Sequence, residues 1–138
     1  MDIDARGPRF GAAVTTVVLA VVLVTGSAWL LAWQLLVFAL GAAGGVTRAP
    51  YGWLFRRFVR PRIGPPTEFE APQPPQFAQV VGLVFAALGL VGHVAGWQWL
   101  AFAATGAALA AAFLNAAFGY CLGCELYLLV RRAVMRAE

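Results

Sequence analysis

Two long stretches without a charged residue alternate with polar segments along this chain. The first covers residues 10–47 and the second covers residues 71–124. About 20 apolar residues in a helix span the hydrocarbon core of a bilayer, so each stretch is long enough for two spans. Small residues at 25–27 interrupt the first stretch, and Gly96-Trp97 interrupts the second. The pattern predicts four transmembrane helices, at about 10–26, 28–47, 77–95 and 98–130.

The first and fourth predicted helices raise separate questions. Arg6 and Arg9 before an apolar run are also typical of a cleaved signal peptide. The immediate return of a second apolar run favours a membrane span instead.

The fourth helix is longer than one span needs, so we expect it to tilt, bend or protrude, and Gly119 and Gly123 are the positions where we expect the change.

The two apolar stretches resemble each other. Trp33-Gln34 and Trp97-Gln98 each begin a similar heptapeptide, and each half ends in a pair of arginines. With two crossings in each half, both halves enter the membrane from the same side, which is a parallel repeat. The predicted fold is therefore an all-α integral membrane protein of two parallel-repeat hairpins, forming a single membrane domain over residues 1–138.

The segment between the two stretches is polar. Residues 51–60 place apolar side chains on one helical face and arginines on the other, which predicts a short interfacial amphipathic helix. This helix either anchors the chain on anionic headgroups or docks a cytosolic partner. Six of the eight prolines then fall within 61–76, a density typical of a semi-rigid linker outside the membrane.

The composition narrows the class of protein. The chain is 62% hydrophobic and 12% charged, with a mean hydropathy of +0.78. An intrinsically disordered chain and a soluble domain with a large core are both excluded. The ten arginines, with no lysine, cluster at the borders of the apolar stretches rather than forming a surface for nucleic acid. We expect the lipid bilayer as the main partner.

The positions of the arginines predict the orientation. In a four-span chain all ten lie on one side, and the two opposite turns have none. The positive-inside rule places both termini and the central segment in the cytoplasm. Trp29, Trp33, Trp97 and Trp99 are then expected in the outer aromatic belt.

The only cysteines of the chain, Cys121 and Cys124, form a C-x-x-C motif at the predicted cytoplasmic boundary. On a helix their sulfurs would lie on one face, within reach of a disulfide. Structural disulfides are unusual in the cytosol, so the motif indicates candidate catalytic residues for thiol redox or sulfur relay. Arg131 and Arg132, or the basic central segment, would favour the reactive thiolate, whereas Glu125 opposes it.

Two other interpretations of the motif stay open. A metal or cluster site normally needs four ligands, so it would require a homo-oligomer that brings two pairs together. Alternatively, the cysteines are buried and inert. For the single chain we predict no metal and no cofactor.

Several short motifs resemble a bacterial membrane family, domain of unknown function 4395. They are spread over nearly the whole chain, at residues 4–10, 49–52, 60–66, 75–79 and 115–124. The resemblance implies a four-helix protein of the bacterial inner membrane, often encoded beside thioredoxin-like or rhodanese-like sulfurtransferase proteins. Cys121 and Cys124 match the terminal motif of that family.

These observations predict a membrane-anchored dithiol protein that exchanges electrons or sulfane sulfur with a soluble thioredoxin- or rhodanese-like partner. Whether it is an enzyme stays open. One alternative is a non-catalytic accessory or anchoring subunit of a membrane complex. A second alternative is a quinone-linked thiol oxidase, although such four-helix enzymes generally need a second shuttle pair and an outward-facing site, which this sequence does not offer.

Overall fold

The computed structural model describes residues 2–137, apart from the side chains of Glu70 and Ala137, and most of these residues are helical. In chain order the elements are β1 (Ile3–Asp4), α1 (Arg6–Thr25), α2 (Ala28–Gly44), a 3-10 turn (Val46–Arg48), α3 (Pro50–Leu54), a π-helical turn (Phe55–Val59), α4 (Arg60–Ile63), β2 (Phe69–Glu70), α5 (Gln73–Ala95), α6 (Gln98–Phe118) and α7 (Leu122–Ala137). By length and composition α1, α5 and α6 can each cross a membrane, and α2 is a shorter apolar helix of 17 residues. This is the helical architecture of a membrane protein.

The four apolar helices form a bundle in which each helix packs against two others. α1 lies mainly against α6, α2 lies mainly against α5, and α5 also packs on α6. Glycines on α5 make this approach close. A methyl group at Gly82 would come within 2.6 Å of the Phe38 ring on α2, and one at Gly92 within 2.5 Å of the Ala101 amide nitrogen on α6. Small residues at helix interfaces allow this van der Waals packing in lipid, where the hydrophobic effect between helices is weak.

The centre of the bundle is built from all four helices. Its buried cluster consists of Leu19, Val22, Leu31, Phe38, Ala86 and Ala108. The side chains on the outer faces of the same helices are largely apolar and exposed, as expected for surfaces that contact hydrocarbon.

Both helical hairpins begin at the same end of the bundle, which we call the arginine end. It comprises the start of α1, the segment between α2 and α5, and α7, and these parts hold all ten arginines. There β1 pairs with β2 in antiparallel register, with Ile3 opposite Glu70. Arg6 donates hydrogen bonds to the Asp4 carboxylate (2.9 Å) and to the Gly64 carbonyl (2.9 Å). The hydrogen bond from Arg6 lowers the pKa of Asp4, although burial of the carboxyl group opposes this.

The observed helix ends differ from the predicted ones in two regions. The structure divides the helix predicted over 98–130 into α6 and α7, with residues 119–121 between them. It also begins α5 at Gln73 instead of 77, because Pro74 and Pro75 occupy a first helical turn, where no amide hydrogen is needed. Helix therefore takes up both ends of the linker predicted over 61–76, and the observed linker consists only of the residues between Ile63, at the end of α4, and Gln73, at the start of α5. At the other ends, α1 starts at Arg6 and α2 stops at Gly44.

The segment predicted as an interfacial helix over 51–60 is helical, and its helical turns extend from Pro50 to Ile63. Its environment differs from the prediction. Phe55 is 3% exposed and its ring centroid lies 5.7 Å from that of Phe10 on α1. The apolar face therefore packs partly on the bundle rather than on lipid, while Trp53 on the other side is 53% exposed.

Tyr51 ties this segment to the interior of the bundle through hydrogen bonds. Its hydroxyl group donates to Oε1 of Gln34 (2.8 Å) and accepts from the indole N–H of Trp33 (3.1 Å). Gln34 is fully buried and donates weakly to the Thr15 hydroxyl (3.4 Å). Trp33 thus takes part in a hydrogen-bond network reached from the arginine end, and its expected place in the outer aromatic belt stays a prediction.

Candidate functional site

The candidate site begins where α6 ends. Gly119 has a φ of 70°, in the left-handed region that glycine adopts without steric cost. Its amide donates to the carbonyl of Asn115 (3.0 Å), and the amide of Tyr120 donates to the carbonyl of Leu114 (3.2 Å). These bonds close the last turn of α6 and redirect the chain, so that Cys121 stands immediately before α7.

Cys121 acts as the N-terminal cap of α7. Its carbonyl accepts the amide of Glu125 (3.0 Å), and its Sγ accepts the amide of Cys124 (3.1 Å). A capping side chain satisfies a backbone N–H that has no partner inside the helix, a role that Ser, Thr, Asp or Asn usually fill. The positive end of the helix dipole favours a negative charge at this position. The cap is therefore suited to a thiolate.

The structure brings Cys121 and Cys124 together as a disulfide, with their Cα atoms 5.2 Å apart. The sequence predicts two sulfurs on one helical face. In the structure the pair spans the start of α7 instead, with the first cysteine outside the helix and the second in its first turn. Both cysteines are half-buried.

Contacts with α5 hold this helix start in place. A methyl group at Gly123 would come within 2.5 Å of Cβ and 2.6 Å of Cα of Ala78, so the two helices nearly touch there. One turn further along, the ring centroids of Tyr127 and Phe77 are 5.7 Å apart. The cysteine pair is thereby positioned by the first turns of α5.

Arg9 on α1 is the arginine that the structure places at the break between α6 and α7. Its Nη2 donates to the carbonyl of Ala116 (3.2 Å), and its guanidinium group lies within 3.8 Å of the position that a Cβ of Gly119 would take. The sequence pattern did not point to Arg9 but to Arg131, Arg132 or the basic central segment, because the proximity of α1 to the end of α6 arises only in the folded chain.

A partly enclosed cavity of about 570 Å³ adjoins the cysteine pair and extends between α1, α2, α5 and α6. Near the pair its lining includes the polar side chains of Arg9, Gln79 and Asn115. The rest of the wall is mainly apolar and includes Val37, Phe38, Phe85, Ala108 and Ala112, together with Thr15 and Tyr51 of the Gln34 network. Both cysteines belong to the lining, so a molecule in this space would contact the disulfide.

The site residues offer few metal ligands. Among residues 2–137 no group of three or more His, Cys, Asp or Glu side chains is close enough to hold a metal ion. Glu125 is exposed in the first turn of α7, next to the pair in sequence.

Comparisons with known proteins identify the family but not an activity. A family model described as "Domain of unknown function (DUF4395)" matches residues 3–132. No curated protein and no solved structure matches the chain. The match includes the bundle, the cysteine pair and the first turns of α7.

Proposed function

The chain belongs to the DUF4395 family, and we propose that this member is a membrane-anchored dithiol protein. It exchanges electrons or sulfane sulfur with a soluble thioredoxin- or rhodanese-like partner. The observation that supports the proposal most is the capping contact, in which Sγ of Cys121 accepts the amide hydrogen of Cys124 at the start of α7. Reactive cysteines commonly lie at helix N-termini, where the thiolate is favoured.

In this proposal Cys121 is the attacking residue and Cys124 resolves. The Cys121 thiolate attacks a disulfide of the partner, forms a mixed disulfide and releases the partner's other sulfur as a thiolate. Cys124 then attacks the sulfur of Cys121, which closes the internal disulfide and releases the partner's second thiolate. Two electrons pass from this chain to the partner, and the reverse sequence oxidises a partner dithiol.

The same pair can accept sulfane sulfur. The Cys121 thiolate takes the outer sulfur of a partner persulfide, and the partner leaves as a thiolate. Attack by Cys124 on the Cys121 persulfide then releases hydrosulfide and forms the internal disulfide. No other oxidant or reductant is needed in either sequence.

Trapping distinguishes the roles of the two cysteines. In cells, Cys124→Ser leaves the attacking thiol without its resolving partner, and we expect it to accumulate a mixed disulfide or persulfide with a thioredoxin- or rhodanese-like protein. Cys121→Ser should accumulate much less of this mixed disulfide or persulfide, and the double serine variant is the negative control. If neither single variant captures such a partner, the proposal fails.

We further propose that four helices, including the shorter α2, span a bacterial inner membrane as two parallel-repeat hairpins, with the arginine end in the cytoplasm. In support, the turns at 26–27 and 96–97 lie at the other end and have no charge. The energetic reason is that each charge moved across the membrane costs about 2.3 kcal/mol per 100 mV. The pair would then face cytosolic partners.

Thiol labelling tests this orientation. A membrane-impermeant maleimide should leave the reduced pair unlabelled in intact spheroplasts and label it after permeabilisation. As a matched control, Ser27→Cys in a chain lacking Cys121 and Cys124 should be labelled in intact spheroplasts. Labelling of the native pair before permeabilisation would overturn the orientation.

One observation favours a second function, that of an accessory subunit in a membrane complex. The last turns of α7 expose Leu129, Val134 and Met135, and Trp53 is also exposed. These apolar groups would contact another subunit without any chemistry at the cysteines. In that case a Cys121→Ala/Cys124→Ala variant keeps full function, whereas deletion of residues 51–60 abolishes it.

A further inference from the structure

We infer that the cavity beside the cysteine pair binds a lipid-soluble quinone, which accepts the two electrons of the reduced pair. The inference rests on the proposed dithiol function and adds the second substrate of the same site. The cavity volume of about 570 Å³ lies within the range of small-molecule pockets. Both cysteines line it, so a bound quinone ring and the reacting sulfurs share one space.

The distribution of polar groups in the cavity matches a molecule with a polar ring and a hydrocarbon tail. Arg9, Gln79 and Asn115 offer hydrogen-bond donors beside the cysteines, and a quinone ring presents two carbonyl acceptors. Further from the pair the wall is mainly apolar, with residues such as Phe85, Ala108 and Ala112. Thr15 and Tyr51 also line it, but both are already hydrogen-bonded to Gln34, so an isoprenoid tail, which offers no polar partner, fits that part.

The location of the cavity also favours a ligand that reaches the protein through lipid. The cavity lies between four apolar helices, three of which can each span a bilayer. A water-soluble oxidant would have no use for the deep apolar wall. A phospholipid would use the wall and Arg9, but it accepts no electrons and leaves the cysteines in the lining without a role.

The electron transfer balances without further reactants. The Cys121 thiolate lies against the quinone and two electrons pass to the quinone ring, while the S–H bond of Cys124 breaks and its sulfur bonds to that of Cys121 to form the internal disulfide. The thiolate and the thiol together lose two electrons and one proton, and the quinone gains these and one proton from solvent and becomes a quinol. The soluble partner's thiols then reduce the disulfide again, so no second cysteine pair is required between the partner and the quinone.

The direct test uses the full chain in nanodiscs, with the pair reduced and the reductant removed in the absence of oxygen. Decylubiquinone is added because its ring is fully substituted and resists addition of thiols. We expect one quinol to form for each pair oxidised. Quinol formation is monitored by the ultraviolet absorbance of the quinone, and oxidation of the pair by thiol titration. The rate at which a water-soluble aromatic disulfide oxidises the pair is measured on the same sample as a reference.

A substitution that fills the cavity tests whether the quinone binds there. Ala112→Phe places a ring in the apolar part of the cavity, and Ala110→Phe places the same ring on the exposed side of α6. We expect the ratio of the quinone rate to the rate with the aromatic disulfide to fall by about tenfold or more in the first variant. The ratio should be unchanged in the second.

The outcomes separate the two proposals. Equal quinone rates in the wild type and both variants would overturn the cavity as the site. A pair that exchanges with the aromatic disulfide and traps its soluble partner, yet never reduces quinone, would overturn the inference and leave the dithiol function intact. If Ala112→Phe does not fold, photolabelling of the wild type with an azidoquinone decides: labels within 107–115 support the site, and their absence refutes it.

Discussion

Replacing Tyr51 by phenylalanine removes one hydroxyl group from the interior of the bundle and changes the side-chain volume little. The hydroxyl group is the donor to Oε1 of Gln34 at 2.8 Å and the acceptor of the indole N–H of Trp33 at 3.1 Å. Gln34 is 0% exposed, so the substitution leaves a buried amide oxygen without this donor. We expect Tyr51→Phe to destabilise the protein for this reason.

The magnitude follows from the burial of the groups that lose their partner. A buried polar group left without its hydrogen bond costs about 1–3 kcal/mol, whereas hydrogen bonds between membrane helices average only about 0.6 kcal/mol. Because Gln34 is fully enclosed, we expect a loss of about 1–2 kcal/mol. Replacing both partners by apolar groups is nearly neutral, so Tyr51→Phe combined with Gln34→Leu should be no less stable than Tyr51→Phe alone.

The free energy of unfolding can be measured by titrating the protein in mixed micelles with sodium dodecyl sulfate and following circular dichroism. Tyr120→Phe is the matched control, because its side chain is half exposed, and it should change stability by less than about 0.5 kcal/mol. Trypsin should also cut faster near Arg56 in the Tyr51 variant, because the network tethers that segment. Stability equal to that of the control, with unchanged cleavage, would refute the role of the network.

Three other substitutions test separate contacts at the arginine end. Gly123→Ala should lower the free energy of unfolding by about 1–3 kcal/mol and loosen α7, because the new methyl group would overlap Ala78. Faster proteolysis within α7 would report this loosening, and an unchanged rate would contradict the close packing. Gly119→Ala should cost about 1 kcal/mol through its left-handed φ, and Gly119→Asn less, as measured by unfolding. Asp4→Asn should remove the acid sensitivity of the strand pair, monitored by hydrogen exchange. Arg6 lowers the pKa of Asp4 in the folded protein below its usual value of 3.8. The stabilisation of the fold by the Asp4–Arg6 pair is therefore complete at pH values above 3.8, and it is lost as the pH falls through the lower pKa of the folded state.

The sequence allowed the helices to be located because charge is nearly absent from them. Small residues at 25–27 predict a turn, and α1 ends at Thr25 while α2 begins at Ala28. Helical periodicity identified the apolar face that contains Phe55, but it could not tell whether protein or lipid covers that face. Both environments are apolar, so the same pattern of side chains suits either one.

The candidate site was predictable in identity but not in geometry. Cys121 and Cys124 were recognisable from their spacing. The capping role of Cys121, however, depends on where the helix breaks between α6 and α7, and either Gly119 or Gly123 could have produced that break. Gly119 makes the break and Gly123 makes a helix contact, and only the folded chain distinguishes a left-handed residue from a tightly packed one. Arg9 is distant in sequence from the motif, so its position beside the break could not be inferred from local pattern.

The pairing of helices across the two halves has a consequence for biogenesis. α1 lies mainly against α6 and α2 mainly against α5, and β1 has its partner strand in β2. A ribosome releases the first hairpin before any of these partners exists, so in the proposed four-span arrangement α1 and α2 enter the bilayer with most of their final contacts missing. Their burial is completed only after α6 has been synthesised. In that arrangement the first hairpin persists in the membrane as a loosely associated pair, exposed to quality-control proteases until the second half is synthesised.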